Sequence, residues 1–290
     1  MYRDIRDLPE EEFLEGGSQT CPGCLQELGL RIALKVLGKD TVVVNSTGCM
    51  THLGNFPNSP LKVSWIHCGF TNPGTIAVTL SKILKKGNVL VYVGDGVAYD
   101  TGFEDLSSAI SSGEPMIIVC ANTGNQASAG GEPNSSTPFL AQTPISKKGH
   151  LKERKNLAEI FAAHKIYVAT ASIGYILDYA NKLRKAMFLK RPAFIDLFTP
   201  CPTSWGFNPS EGLKIARLAV ETGVWPLYEI ENNRMRLTVI PKQLTSVKEY
   251  LKTQKRYKHL THDQINLIQE WVNKEWKALT AGEYWGIPEY

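Results

Sequence analysis

Short apolar runs recur along the chain, and longer stretches with an apolar residue at every third or fourth position lie between them. The runs predict five strands, at residues 41–44, 89–93, 116–120, 165–169 and 193–198. Because polar residues do not alternate within most of these runs, they are typical of strands covered on both faces. The longer stretches predict helices at 25–37, 72–85, 103–111, 156–164 and 174–189. Strands and helices in alternation predict a doubly wound, mostly parallel α/β sheet.

The pattern changes at both ends of the chain. Residues 1–20 are polar and acidic and are interpreted as an N-terminal arm, so we expect the α/β domain to span residues 21–240. A basic stretch at residues 248–258 is typical of a solvated surface; it contains Lys248, Lys252, Lys255, Arg256 and Lys258. A capping-box sequence and an apolar helix pattern follow. We therefore expect residues 241–290 to be a C-terminal helical extension that covers the domain or makes subunit contacts.

Composition narrows the class of protein. The chain has 290 residues, 43% of them hydrophobic and 21% charged, as in a folded globular protein. Its 32 lysines and arginines against 28 aspartates and glutamates leave a net charge of +4, too small to predict a nucleic-acid partner. No apolar run is long enough to cross a bilayer, and the first residues lack the apolar stretch of a signal peptide. We expect a cytoplasmic protein without a membrane partner, whose six cysteines stay reduced.

Four of the cysteines stand where they could share one site. Cys21 and Cys24 form a Cys-x-x-Cys pair in a turn, a spacing that lets both sulfurs face one metal ion or cluster edge. Cys49 and Cys201 each follow a predicted strand, and the carboxyl ends of parallel strands meet at one edge of a sheet. Four thiolates suit a [4Fe–4S] cluster or a zinc ion, and the pair alone also allows a redox dithiol or coincidence. The other two cysteines are interpreted as packed thiols, Cys68 and Cys120.

A second candidate site begins with Gly94-Asp95-Gly96, directly after a predicted strand. The glycines allow a sharp turn and a close approach of the backbone to a ligand, and Asp95 offers a hard oxygen ligand. The next predicted strand leads into the oxygen-rich loop 122–125. Two such loops at neighbouring strand ends suit a Mg²⁺ ion that bridges a diphosphate, whose charge would also meet a helix N-terminus.

Together these motifs resemble the thiamine diphosphate-binding β subunit of 2-oxoacid:ferredoxin oxidoreductases, in particular the pyruvate:ferredoxin oxidoreductase type. The resemblance covers about residues 18–260. It rests on Cys-x-x-Cys at 21–24, Thr-Gly-Cys at 47–49, Gly-Asp-Gly-Val-Ala-Tyr-Asp-Thr-Gly at 94–102, Pro-Cys-Pro-Thr at 200–203, Trp-Pro-Leu-Tyr-Glu at 225–229 and Val-Lys-Glu-Tyr-Leu at 247–251. It implies oxidative decarboxylation of a 2-oxoacid on thiamine diphosphate, with electrons passing singly to a [4Fe–4S] cluster and then to ferredoxin.

The resemblance also implies roles for individual residues. The cluster ligands would be Cys21, Cys24, Cys49 and Cys201. The Mg²⁺ ligands would be Asp95, Thr123 and Asn125, the last through its carbonyl. The thiamine site would include Thr47, Gly48, Cys49, Gly94, Asp95, Gly96, Val97, Asn122, Gln126 and Ser128, with Asn122 standing where the family often has Asp.

Other chains would complete the enzyme. The resemblance implies subunits with pyrimidine-binding α, γ and ferredoxin-like δ functions, with ferredoxin and a 2-oxoacid as further partners. It leaves open whether coenzyme A takes part. The glutamate that activates thiamine is expected on a partner subunit, because the nearby Glu27 falls on a predicted helix and is interpreted as structural. We therefore expect the isolated chain to be inactive.

One loop departs from the family pattern. Pyruvate-type members typically have a Tyr near Gln126 and an Asn-Thr pair where Ser128 and Ala129 stand here. The change favours another 2-oxoacid, such as oxalate or an aryl glyoxylate, or it is variation among pyruvate enzymes. Two alternatives belong to other classes. A cluster-free thiamine diphosphate decarboxylase or synthase subunit would leave the four cysteines unexplained, and a zinc-knuckle nucleic-acid module would leave the Gly-Asp-Gly loop unexplained.

Overall fold

A computed structural model of the chain describes residues 1–55 and 57–281. Its strands form one sheet in the order β2-β1-β3-β4-β6-β5-β7-β8. The strands are β1 Thr41–Ser46, β2 Ser64–Cys68, β3 Asn88–Gly94, β4 Ile117–Asn122, β5 Tyr167–Ser172, β6 Ala193–Phe198, β7 Leu227–Glu231 and β8 Arg234–Val239. Strands β1 to β6 pair in parallel, and β7 and β8 continue the sheet as an antiparallel hairpin. The prediction of a doubly wound, mostly parallel sheet is confirmed.

Helices cover both faces of this sheet. They are α1 Leu25–Leu37, α2 Pro73–Ile83, α3 Phe103–Ser111, α4 Leu157–Ala162, α5 Ile176–Leu189, α6 Pro202–Trp205, α7 Gly212–Glu221, α8 Val247–Leu251 and α9 His262–Ala281. Helices α1 and α5 pack on one face, and α2, α3 and α4 pack on the other. Successive strand residues serve opposite faces, as Ile118 and Val119 of β4 do. This double burial explains why the central strands are continuous apolar runs.

The sequence pattern did not predict β2 or the β7–β8 hairpin. Both β2 and β8 are edge strands, and each leaves much of its surface exposed or half-buried. A strand covered on one side only needs no continuous apolar run, so the signal that marks the central strands is absent there.

Both ends of the chain contact the α/β core. In the N-terminal segment Leu8, Phe13 and Leu14 are buried against the face that α1 covers. In α9, Ile268 and Val272 are buried in a third cluster. The division into an arm, a domain and an extension stays a prediction, and residues 282–290 of that extension lie outside the described residues. Among the described helices, none has the length and apolar character needed to cross a membrane.

Candidate functional site

The carboxyl ends of the parallel strands carry the candidate residues. Strands β1, β3, β4 and β6 end at Ser46, Gly94, Asn122 and Phe198, and the loops that follow them meet at one edge of the sheet. Ligands of open α/β sheets bind at this edge, because loops diverge there to form a crevice. Two adjoining cavities are present at this position.

The larger cavity has a volume of about 470 Å³ and is lined by all four predicted cluster ligands, Cys21, Cys24, Cys49 and Cys201. The two cysteines that were interpreted as packed thiols lie outside it, and both are buried. His52 also lines the cavity, together with small and polar residues of the loop after β4 and the loop after β6. Residues as far apart in the chain as Cys21 and Cys201 therefore line one cavity, as the position of the loops predicted.

Local backbone structure positions each of these cysteines. The Cys24 amide donates to the Cys21 carbonyl at 3.0 Å, which closes the turn of the pair. Gly23 has a φ of +73°, and a Cβ there would lie 2.7 Å from Pro209, so only glycine fits this turn. Cys24 precedes the first turn of α1, and Cys201 precedes that of α6, where its Sγ accepts from the Ser204 amide at 3.4 Å. The turn and the two helix starts thus fix these three sulfurs.

The electrostatic setting opposes isolated thiolates in this cavity. Burial, together with the charge of neighbouring cysteines, raises the pKa of Cys24 to about 11 and that of Cys49 to about 12. Burial also raises the pKa of Cys201. Deprotonated thiols are the ligands of iron and zinc, so a bound cationic centre would have to offset this cost. Among the described residues, no group of three or more His, Cys, Asp or Glu side chains is arranged so that it could hold a metal ion.

The smaller cavity adjoins the cysteine cavity and contains the predicted thiamine-binding residues. Its lining includes Thr47, Gly48, Cys49, Gly94, Asp95, Gly96, Val97, Gln126 and Ser128. It also includes the two further predicted Mg²⁺ ligands, Thr123 and Asn125. A Cβ on Gly96 would lie 2.6 Å from the Gln126 side chain, so glycine permits this contact, whereas the same position on Gly94 meets open space.

The three predicted Mg²⁺ ligands bring their oxygens together. The Thr123 hydroxyl donates to the Asn125 carbonyl at 2.8 Å and lies 3.5 Å from Asp95 Oδ1. Asp95 Oδ2 accepts from the Asn125 amide at 2.9 Å and from the Ser136 hydroxyl at 2.7 Å. Asp95 is only 2% exposed, and burial raises its pKa to about 6. A carboxylate, a hydroxyl and a carbonyl in this arrangement fit the hard-oxygen preference of Mg²⁺.

One predicted thiamine-site residue lies elsewhere. The side chain of Asn122 donates to the Tyr99 hydroxyl and to Asp196 Oδ1, each at 3.1 Å, and lines neither of the two cavities. Asn122 is the last residue of β4, and side chains alternate between the two faces of a strand. The position therefore keeps Asn122 out of both cavities, although its Oδ1 accepts from the Gly124 amide of the following loop at 3.0 Å.

Sequence reasoning missed several residues that shape the site. Ser136 holds the Asp95 carboxylate, and the Asn134 side chain in turn accepts from the Ser136 amide at 2.9 Å. Gln26 lines both cavities and donates to the Ala121 carbonyl at 3.1 Å. The short turn sequence Asn-Ser-Ser-Thr at 134–137 was the available signal for the first two, while Gln26 lies inside a helix pattern that carries no such signal. Glu27 accepts from Ser18 and Thr20, which agrees with its structural interpretation.

Comparison with known proteins defines the class first. Residues 46–197 match the family model described as thiamine pyrophosphate enzyme, C-terminal TPP binding domain. This range contains Cys49, Asp95 and Thr123, which line the two cavities. The fold and the site therefore define a thiamine diphosphate-binding protein.

Relatives then define the family. The chain is 42% identical to pyruvate synthase subunit PorB of Methanothermobacter marburgensis over 278 residues, 92% of this chain and 96% of that subunit. It is 35% identical to ketoisovalerate oxidoreductase subunit VorB of Pyrococcus furiosus over 291 residues, 94% of each chain. The chain belongs to the family of β subunits of multi-subunit 2-oxoacid:ferredoxin oxidoreductases.

A solved structure agrees with this fold. The 2-oxoglutarate:ferredoxin oxidoreductase of Magnetococcus marinus matches with a TM-score of 0.61 and 17% identity, covering 92% of this chain and 97% of that one. That protein was solved with 2-oxoglutarate, coenzyme A and succinyl-CoA bound. At this level of identity the match shows the common fold alone.

Proposed function

We propose that this β subunit binds thiamine diphosphate with Mg²⁺ beside a [4Fe–4S] cluster and that its complex oxidatively decarboxylates a 2-oxoacid. The observation that carries the proposal is the contact between the two cavities. Cys49, Thr123 and Ser128 line both of them. A group held by the cysteines would therefore be a direct neighbour of a group held by Asp95 and the loop 123–125, which we call the magnesium loop. Adjacent binding of a coenzyme and a one-electron acceptor is what oxidation without a hydride carrier requires.

In this proposal, residues of this chain bind Mg²⁺ and orient the groups that bind it. Asp95, Thr123 and Asn125 would bind Mg²⁺ through oxygen atoms, and Ser136 fixes the Asp95 carboxylate by donating to Oδ2. When bound, thiamine diphosphate supplies the electron sink for decarboxylation, and an iron–sulfur cluster supplies a one-electron acceptor. The lining of the larger cavity is mainly apolar and small, which would limit water near the reacting groups.

Other subunits complete the site in this proposal. Among the described residues that line the cysteine cavity there is no Asp, Glu, Lys or Arg. Glu27, the nearest candidate in sequence, is engaged by two hydroxyls instead. A thiamine-activating glutamate and the groups that bind the substrate carboxylate would therefore come from partner subunits with α, γ and ferredoxin-like δ functions. We expect the isolated chain to show no turnover with a redox dye, and turnover without partners would contradict this.

The substrate is a 2-oxoacid in this proposal. Relatives named for pyruvate and ketoisovalerate support this class. Ser128 lines the cavity at a position where the pyruvate-type pattern typically has Asn, and Ala127, Gly130 and Gly131 beside it are small as well. We include oxalate and aryl glyoxylates with pyruvate as candidates for this reason, with ferredoxin as the final acceptor and a cytoplasmic location.

The test uses the complete complex purified without oxygen. We expect iron and acid-labile sulfide in excess of the δ-type clusters, bound thiamine diphosphate, and reduction of the cluster when a 2-oxoacid is added. Pyruvate, oxalate, phenylglyoxylate and 2-oxoglutarate should each be supplied with and without coenzyme A. We expect Cys201→Ala to lose one cluster and electron transfer, whereas the matched Cys68→Ala variant, which removes a buried thiol outside the cavity, keeps both. A complex with full activity in Cys201→Ala would favour a cluster-free thiamine enzyme.

A further inference from the structure

Arg256 lies in the basic stretch that the sequence pattern assigned to a solvated surface, but only 4% of it is exposed. Its Nε donates to Gln254 Oε1 at 2.8 Å and its Nη2 donates to the Tyr250 hydroxyl at 3.1 Å. Both acceptors are neutral, and within residues 1–55 and 57–281 the guanidinium forms no ion pair with a carboxylate. A buried cation without a counter-charge is costly, so a compensating interaction is expected.

The main contact of this guanidinium is an aromatic ring. Its central carbon lies 3.4 Å from the centre of the Trp205 ring, and Tyr257 lies further away at 4.9 Å. Cation–π attraction is strongest over tryptophan and grows when both groups are removed from water. Arginine suits this position better than lysine because its planar group can stack on the ring while its N–H groups donate in the same plane.

The stacked Trp205 ring contacts the magnesium loop directly. The Trp205 indole Nε1 donates to the Thr123 carbonyl at 2.7 Å. The next residue, Gly124, has a φ of +70°, and a Cβ there would lie 3.2 Å from Arg256 Nη1. The loop that carries Thr123 and Asn125 therefore packs against the Arg256–Trp205 pair.

We propose that Arg256 is a positioning residue for the magnesium–diphosphate site, acting through Trp205 to hold the Thr123–Asn125 backbone in its ligand-binding form. The inference rests on the proposed function, since it concerns the same site. Arg256 would also keep a positive charge next to a loop that receives an anionic coenzyme. Groups that support metal ligands from behind typically change affinity by about 10- to 100-fold when removed.

The test measures coenzyme binding rather than turnover. The purified complex is depleted of thiamine diphosphate and Mg²⁺, and both dissociation constants are measured by anaerobic calorimetry. We expect Arg256→Met to weaken binding of each by about tenfold or more and Arg256→Lys to restore only part of the loss. Trp205→Phe should produce a similar loss, and the double variant should lose less than the sum because both act on one loop.

A matched control exists on another part of the chain. Arg154 stacks over Trp225 at 4.7 Å, and the Trp225 indole donates to the Ala171 carbonyl at 2.9 Å, a similar arrangement away from the magnesium loop. Arg154→Met should leave both dissociation constants within about twofold, which separates positioning of the loop from general loss of an Arg–Trp pair.

The outcomes separate the two proposals. If the parent complex does not bind thiamine diphosphate with Mg²⁺, the proposed function fails. If the parent binds and the Arg256→Met and Trp205→Phe complexes bind equally well, the positioning role is wrong. Equal losses in the Arg154→Met control would also overturn it. If Arg256→Met does not assemble, Arg256→Lys and Trp205→Phe decide the question by the same measurement, with iron content as the check of folding.

Discussion

Two neighbouring residues at the end of β4 direct their side chains into two different polar regions. Thr123 contributes to the magnesium loop beside Asp95, whereas Asn122 joins a network with Tyr99 and Asp196. Both aspartates are buried, and burial raises the pKa of each. Neither burial nor a raised pKa therefore distinguishes a coenzyme site from a structural network in this molecule.

Hydrogen bonds do not make the distinction either, because this chain supplies donors to both carboxylates. Asp95 accepts from the Asn125 amide and the Ser136 hydroxyl, just as Asp196 accepts from its own neighbours. The surroundings of Asp95 differ in carrying further oxygen atoms. The Thr123 hydroxyl and the Asn125 carbonyl lie beside it, and the buried Asn125 Oδ1 has no hydrogen-bond partner among the described atoms. A hard cation prefers such an oxygen-rich position.

The largest loss of coenzyme affinity is expected from a substitution of Asp95. Asp95→Asn keeps the shape of the side chain but replaces one ligand oxygen by an amide and removes the charge. We expect Mg²⁺-dependent binding of thiamine diphosphate by the complex to weaken by at least about 100-fold, more than for a residue that only supports a ligand. Calorimetry on the coenzyme-depleted complex measures this. An unchanged affinity for thiamine diphosphate would show that Asp95 does not bind Mg²⁺ and that it does not differ from Asp196 in this respect.

A smaller effect, of a different kind, is expected at Tyr99. This residue belongs to the Gly-Asp-Gly motif segment by sequence, but its hydroxyl serves Asp196 and Asn122. Tyr99→Phe removes the hydroxyl that donates to Asp196 Oδ2, while Asn122 still donates to Asp196 Oδ1. We expect the free energy of unfolding to fall by about 1–3 kcal/mol, because a buried carboxylate oxygen loses its donor. Coenzyme affinity should stay within about threefold of the parent value. A loss of coenzyme binding as large as that of Asp95→Asn would show that the two regions act as one.

The sequence was sufficient for the parts of this contrast that follow from strand order. The central strands are apolar because both of their faces are covered. Since the carboxyl ends of parallel strands meet at one edge of the sheet, Cys49, Asp95 and Cys201 could be predicted to lie close together. The sequence was not sufficient where the direction of a side chain decides which site it contacts. Asn122 was expected in the thiamine site from the resemblance, and its side chain contacts Asp196 and the Gly124 amide but lines neither cavity. Arg256 was hidden among surface lysines, since charge patterning does not show that a cation stacks on Trp205.

The smallest predicted effect is on stability and concerns the cavity next to Asp196. It gives a last test of the difference between the regions around Asp95 and Asp196. Arg154, Glu159 and Glu275 line it together with Asp196, and Glu159 Oε1 has no hydrogen-bond partner among the described atoms. Burial and the charge of Glu275 raise the pKa of Glu159 to about 7 from 4.5, while Arg154 opposes the shift. The protonated form is favoured in the folded state, so its contribution to stability is complete below pH 4.5 and is lost as the pH rises through about 7.

We expect Glu159→Gln to remove this pH dependence. Relative to the parent, the variant should gain about 1 kcal/mol in the free energy of unfolding at pH 8 and show little difference at pH 5, since solvent screens a half-buried carboxyl. Denaturant unfolding at the two pH values measures the effect, with Glu270→Gln on the exposed side of α9 as the control. Coenzyme affinity should be unaffected at both values. A pH-dependent change in that affinity would mean that the region around Asp196 is coupled to the magnesium loop, which it contacts where Asn122 Oδ1 accepts from the Gly124 amide.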